Sequence, residues 1–128
     1  MSTPETADTI WELVEARAQA TPDAVMLIDE ADTKLTCVQL RDAALSTAAG
    51  LAAMGIGENT PVTWQLPTTI DAVVTSLALA RLGALQNPIL HIYRERELGV
   101  AIRRTRPELV IVPGEWMGTD FEAMTAGV

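Results

Sequence analysis

The sequence predicts an α/β fold of three layers, with a mostly parallel sheet flanked by helices. Two observations carry that reading. Short apolar runs of strand length alternate along the whole chain with longer stretches of helical periodicity. Parallel neighbours need crossovers of that kind, and a sheet built from them is covered on both faces. In addition, Pro or Gly stands at most of the transitions, at Pro22, Gly55, Pro61, Gly83 and Pro107, where helices stop and strands begin.

Taken in order, Thr9 followed three residues later by Glu12 is a capping box. Ile10, Leu13, Val14 and Arg17 then recur at helical spacing, and Thr21-Pro22 ends the segment. The apolar run from Ala24 to Asp29 reads as a strand, Ala31 to Thr33 as a turn, and Lys34 to Thr36 as a brief return. Thr36 and Gln39 form a second capping box. It opens an alanine-rich helix to Met54 with Leu40, Ala44, Leu45, Ala48, Leu51 and Ala52 expected inward, and Gly55 suits its left-handed cap.

Pro61 to Leu66 reads as a strand, and Thr69 to Leu82 as a helix apolar nearly all round and therefore central, closed by Gly83. Ala84 to Pro88 is a strand running into a loop, because Pro88 cannot donate to a ladder. Arg94 to Arg106 is helical, with Leu98, Ala101, Ile102 and Thr105 on one face, and Glu108 to Val112 is a buried strand. After Pro113 the pattern is mixed, with one helical turn near Phe121.

Composition excludes several classes. The 128 residues have the length of one domain, and no repeat or low-complexity linker divides them. Aromatics are 4% against 48% hydrophobic residues, so aliphatic side chains and alanine must fill the core. A net charge of −8 argues against a nucleic-acid partner, which needs an excess of Lys and Arg to displace counterions. A single cysteine, Cys37, gives no disulfide framework and no thiolate metal cluster. No apolar run approaches the ~18 residues of a membrane span, and Met1 to Glu5 lacks the basic-then-apolar order of a secretory signal. A cytoplasmic protein is expected.

Few motifs survive a test of their chemistry. Gly55-Ile56-Gly57 follows a helix, whereas a phosphate cradle needs strand, then glycines, then a helix N-terminus. His91, the only histidine, has no supporting nucleophile motif or carboxylate spacing, and reads as a loop or packing residue. Cys37 reads as a small buried residue starting a helix. Asp29, Glu30 and Asp32 read as a solvated turn, since the later acceptor Asp and Lys of a phospho-receiver are missing. Six of nine basic residues lie between Arg81 and Arg106. Among them Arg96, Arg103 and Arg106 share a helical face with Gly99. That stripe fits a phosphate or an acidic surface, or simply a solvated face paired with Glu95, Glu97 and Glu108.

Several segments, in order, resemble the start of the AMP-binding, acyl-CoA synthetase family. They are Thr21-Pro22-Asp23-Ala24, the stretch from Leu35 to Leu40, Leu51 to Ile56, Gln65-Leu66-Pro67, and Ala80 to Ala84 followed by Asn87-Pro88. The stretch Asn87 to Leu98, with Gly118 to Phe121 downstream, looks most like ligases of cyclic, aryl or medium-chain carboxylic acids. The resemblance implies the N-terminal subdomain of an adenylate-forming enzyme, with residues 1–128 the first part of its large AMP-binding domain. It also implies an ATP-dependent acid–CoA ligase working through an acyl-adenylate, with ATP, CoA and magnesium used by the full-length enzyme and none expected on this piece.

The Thr/Ser/Gly-rich phosphate loop with its lysine, the ribose-binding aspartate and the C-terminal catalytic lysine of that family have no counterpart in these residues, so the piece is expected to be inactive alone, with no catalytic or metal-binding residues. The loop after Pro88 is implied to lie towards the CoA entrance, which makes His91, Tyr93, Arg94 and Arg96 candidate cofactor contacts. Two departures stand out. Thr68 follows Gln65-Leu66-Pro67 where Asn is frequent, and Met117 stands where a basic residue is frequent.

The partners implied are the remainder of the polypeptide and, in the full-length enzyme, a carboxylic acid. Apolar surface left where that remainder packs would favour a homodimer. Two alternatives are a stand-alone α/β binding module, and an adenylating enzyme that loads a carrier-protein thiol.

Overall fold

A computed structural model describes residues Thr3 to Val128; Met1 and Ser2, the first residues of the N-terminal stretch discussed above, lie outside the described residues. The elements run α1 (Ile10–Ala20), β1 (Val25–Ile28), β2 (Lys34–Thr36), α2 (Cys37–Ala53), β3 (Pro61–Trp64), α3 (Ile70–Leu82), β4 (Leu85–Pro88), α4 (Glu95–Thr105), β5 (Leu109–Ile111), β6 (Glu115–Trp116), β7 (Thr119–Asp120) and α5 (Phe121–Ala126). The central sheet is wholly parallel in the order β4-β3-β5, with Val62 opposite both Gln86 and Leu109. Two antiparallel hairpins, β1-β2 and β6-β7, stand beside it.

The three layers follow from which residues each strand buries. On one face Val62 and the half-buried Trp64, Leu109 and Ile111 meet Ala48, Leu51 and Ile56 of the α2 region and Ala78 and Leu79 of α3. On the other, Leu98 of α4 packs with Phe121 and Met124 of α5, against Ile89, Ile102, Val112 and Trp116. Alanines at the α2–α3 contact, with Ala44 and Ala78 fully buried, let the helices approach closely. This is how a core so poor in aromatics is filled.

Local caps set the element boundaries. The Thr36 hydroxyl accepts from Gln39 N at 3.3 Å while Gln39 Oε1 accepts from Thr36 N at 2.9 Å, a complete capping box. At α1 the Thr9 hydroxyl accepts from Glu12 N, but the Glu12 carboxylate reaches one residue further back, to Asp8 N at 2.8 Å. Both α2 and α3 end in the same double bond. Gly55 N donates to Ala52 O and Ile56 N to Leu51 O, and Gly83 N donates to Ala80 O and Ala84 N to Leu79 O. The φ values of 92° at Gly55 and 72° at Gly83 explain why glycine stands at both. Gly55 therefore serves a helix end, and Gly57 opens the turn into β3, its N–H donating to Thr60 Oγ1 at 3.1 Å.

Several expectations need correction. The β1 strand is not in the parallel sheet: it pairs only with β2, and Val25, Met26 and Ile28 are largely exposed. The α1 helix forms as its spacing predicts, and of the recurring apolar residues it buries Val14, with Ala16 and Ala18, and leaves Ile10 and Leu13 exposed. In α2, Leu45 and Ala52 also point outward, because the inward set is Cys37, Leu40, Ala44, Ala48 and Leu51. The strand expected to be buried, β5, is half-buried throughout, since it forms an edge of the sheet.

The tail after Pro113 holds a hairpin that periodicity missed. Its two-residue turn, Met117-Gly118, has φ of 48° and 81°, both in the left-handed region. That backbone favours Asn-Gly, and a methionine there is strained. Met117→Asn is expected to raise the stability of the chain by about 1 kcal/mol, measured as a shift in the urea midpoint. No shift would mean the turn adopts another conformation.

Candidate functional site

Ligands of open α/β sheets bind beyond the carboxyl ends of the parallel strands. Here that end is formed by Gln65 after β3, the loop from Ile89 to Arg94 after β4, and Val112 with the β6-β7 hairpin after β5. Gln65 is at its centre and completely buried. Its Nε2 donates to Leu90 O and to Tyr93 O, both at 3.0 Å, while its Oε1 has no partner among the described residues. Its main-chain N–H donates to Ile111 O at 2.9 Å. One side chain thus ties the post-β4 loop to the middle of the sheet.

Arg94 closes the same loop from outside. Its Nη1 donates to His91 O at 2.8 Å and to Tyr93 O at 2.9 Å, and its Nη2 to Thr119 Oγ1 at 3.3 Å. The guanidinium also lies 5.5 Å from the centre of the Phe121 ring, within the range of a cation–π contact. With its carbonyls turned inward onto Gln65 and Arg94, the loop presents Leu90, Ile92 and Tyr93 outward.

The four residues expected to contact a cofactor therefore divide. His91 is half-buried, Tyr93 and Arg96 are exposed, and all three lie on the same loop and helix start. Arg94 is also exposed, but its guanidinium is engaged internally. Arg96, Arg103 and Arg106 are exposed, and among the described residues none pairs with Glu95, Glu97, Glu108 or another carboxylate. Gly99 is buried between them: a Cβ there would come within 2.9 Å of Arg103 Nη1 and 3.4 Å of Val128 Cγ1. Gln65, Thr119 and Phe121 were visible in the sequence only as parts of a family resemblance. A glutamine directly after an apolar strand and before Leu66-Pro67 was the one local signal.

The remaining candidates are structural. Asp29 Oδ1 accepts from Ala31 N and Thr33 N, so the acidic cluster is a self-capped turn. Cys37 is buried, 3.7 Å from the Thr21 hydroxyl. The described residues do not fit a nucleoside triphosphate or a magnesium ion: no glycine loop links a strand to a helix N-terminus, and no three His, Cys, Asp or Glu side chains converge. No helix among them is long and apolar enough to cross a membrane.

A family model described as AMP-binding enzyme matches residues 14–126. The chain is 33% identical over 112 residues to a 2-hydroxy-7-methoxy-5-methyl-1-naphthoate–CoA ligase of Streptomyces carzinostaticus, covering 88% of this chain and 20% of that protein. It is 29% identical over 96 residues to the medium-chain fatty-acid–CoA ligase of Escherichia coli K12, covering 75% of this chain and 17% of the ligase. The solved fatty acyl CoA synthetase of Mycobacterium tuberculosis superposes with a TM-score of 0.77 at 23% identity, over 81% of this chain and 21% of that one. At that identity the superposition speaks for the fold. The chain spans about a fifth of the length of these proteins.

Proposed function

The chain belongs to the AMP-binding enzyme family, and from that premise we propose that it is the N-terminal part of an ATP-dependent carboxylic acid–CoA ligase. Such an enzyme joins an acid to the AMP portion of ATP with loss of pyrophosphate, then passes the acyl group to the CoA thiol with release of AMP. The observation that carries the reading is the family match along nearly the whole chain. The names of the two relatives, both acid–CoA ligases, support it. A fatty, aryl or cyclic acid is the substrate class on this reading. The enzyme is cytoplasmic, and segments outside these residues hold ATP and magnesium.

Within that enzyme these residues supply scaffold and one approach surface. Gln65 and Arg94 hold the post-β4 loop rigid, and His91, Tyr93 and Arg96 line the path by which CoA arrives. Arg96 is the phosphate contact in this set, since its guanidinium has no ionic partner among the described residues. Arg94 acts as a positioning residue. In the complete enzyme Arg96→Ala should raise the KM for CoA by about tenfold, the loss of one charge-assisted contact, and leave adenylate formation unchanged. An unaltered KM would remove Arg96 from the CoA path.

ATP–pyrophosphate exchange tests the reading as a whole. The purified 128-residue chain should give no acid-dependent exchange, because the groups that offset the charge of departing pyrophosphate lie elsewhere. Robust exchange by this chain alone would overturn the proposal.

A further inference from the structure

The solvent face of α4 carries cations that nothing neutralises. Arg96 and Arg103 stand two turns apart on that face, both exposed, and among the described residues neither has an ionic partner. Glu97 is turned back to the helix start, where it accepts from Arg94 N at 3.4 Å. Between the two arginines lies the buried Gly99. Its φ is not positive, so conformational freedom does not explain a glycine that destabilises a helix relative to alanine. Its missing side chain makes room instead. A Cβ there would come within 2.9 Å of Arg103 Nη1, 3.6 Å of Arg103 Cζ and 3.4 Å of Val128 Cγ1. The Arg103 guanidinium therefore rests on the helix over Gly99, with Val128 beside it.

That seat fixes where the charge is. Helical side chains lean towards the N-terminus. Here the lean brings the Arg103 guanidinium level with residue 99, about 5 Å along the axis from Arg96 at ~1.5 Å per residue. Resting against backbone and a valine, it has lost rotamer freedom before any ligand arrives, which lowers the cost of binding. Two guanidinia so close suit an anion with several oxygens and more than one charge. A phosphate monoester carries about −1.5 to −2 at neutral pH, whereas a phosphodiester or a carboxylate carries a single charge. Arg96 also adjoins the post-β4 loop, so the pair continues the approach surface described above. CoA bears one phosphate monoester, on the ribose 3′ oxygen at the end remote from its thiol. The pantetheine arm of a carrier protein bears only a phosphodiester.

We propose that Arg103, seated over Gly99, binds the 3′-phosphate of CoA together with Arg96, and so selects free CoA over thiols that lack this group. The inference rests on the reading of the chain as part of an acid–CoA ligase.

Thioester formation by the complete enzyme, with CoA and with dephospho-CoA as acceptors, tests it. Arg103→Ala should raise the KM for CoA about tenfold, the loss of one charge-assisted contact. The KM for dephospho-CoA and the rate of ATP–pyrophosphate exchange should not change, so the preference for CoA disappears. Gly99→Ala keeps the charge but displaces the guanidinium, and should shift the KM for CoA in the same direction by a smaller factor. An equal change with both acceptors in Arg103→Ala, or none with either, would overturn the proposal. Unchanged KM values with a lowered urea midpoint would assign the guanidinium to a carboxylate elsewhere in the polypeptide, and also overturn it. Each of these outcomes leaves the ligase reading intact if acid-dependent exchange persists. Absence of exchange in the unsubstituted complete enzyme would remove that reading and this inference together.

Discussion

Gln65→Glu is expected to destabilise the chain by about 3–5 kcal/mol at pH 7, the scale of an uncompensated buried charge. The site is completely buried, and the atom replaced is the Nε2 that donates to Leu90 O and Tyr93 O. A carboxylate would set negative charge against two carbonyl oxygens. Burial and that repulsion raise its folded pKa above the unfolded value of about 4.3. The sign follows: below about pH 4.3 the acid is neutral in both states and the deficit is smallest. It grows as pH rises, until pH passes the folded pKa. Urea unfolding from pH 4 to 8 measures this. Gln65→Leu, which also removes the unpartnered Oε1, should show a smaller and pH-independent loss. A pH-independent loss in Gln65→Glu would mean that the side chain reaches solvent.

Phe121→Ala should destabilise by about 3–5 kcal/mol, as large-to-small changes in cores do. Phe121 is 1% exposed and is the largest side chain among the fully buried ones. It joins Leu98, Met124 and the half-buried Trp116 in the layer beneath α4, and supports the Arg94 guanidinium from one side. The six residues of α5 have too few turns to stay helical without that contact. The expected readout is a lowered urea midpoint with earlier exposure of Trp116 fluorescence. A loss below about 1 kcal/mol would show that the α4-α5 layer packs loosely.

How much of this was legible in the sequence depended on how local the cause was. Helix starts at Thr9, Thr36 and Thr69 and stops at Gly55 and Gly83 were readable, because a cap is decided within a few residues. The α/β pattern was readable for the same reason. Sheet membership was not: the turn at Ala31 to Thr33 and the return at Lys34 to Thr36 were readable, but nothing in the run from Val25 to Ile28 reveals that this pair stays out of the parallel sheet. The β6-β7 hairpin was missed because Met117-Gly118 departs from the turn residues its backbone favours. At the site, the loop from Asn87 to Arg96 stood out by family resemblance, but the inward commitment of Arg94 depends on Thr119 and Phe121, about 25 residues away.

The central claim is that these 128 residues are the first part of a larger adenylate-forming ligase, and sequencing the coding DNA beyond Val128 tests it most directly. An in-frame continuation carrying a Thr/Ser/Gly-rich loop with a lysine is the predicted result. A stop codon directly after Val128 would contradict it and leave a self-standing α/β module whose partner must be sought at the post-β4 loop.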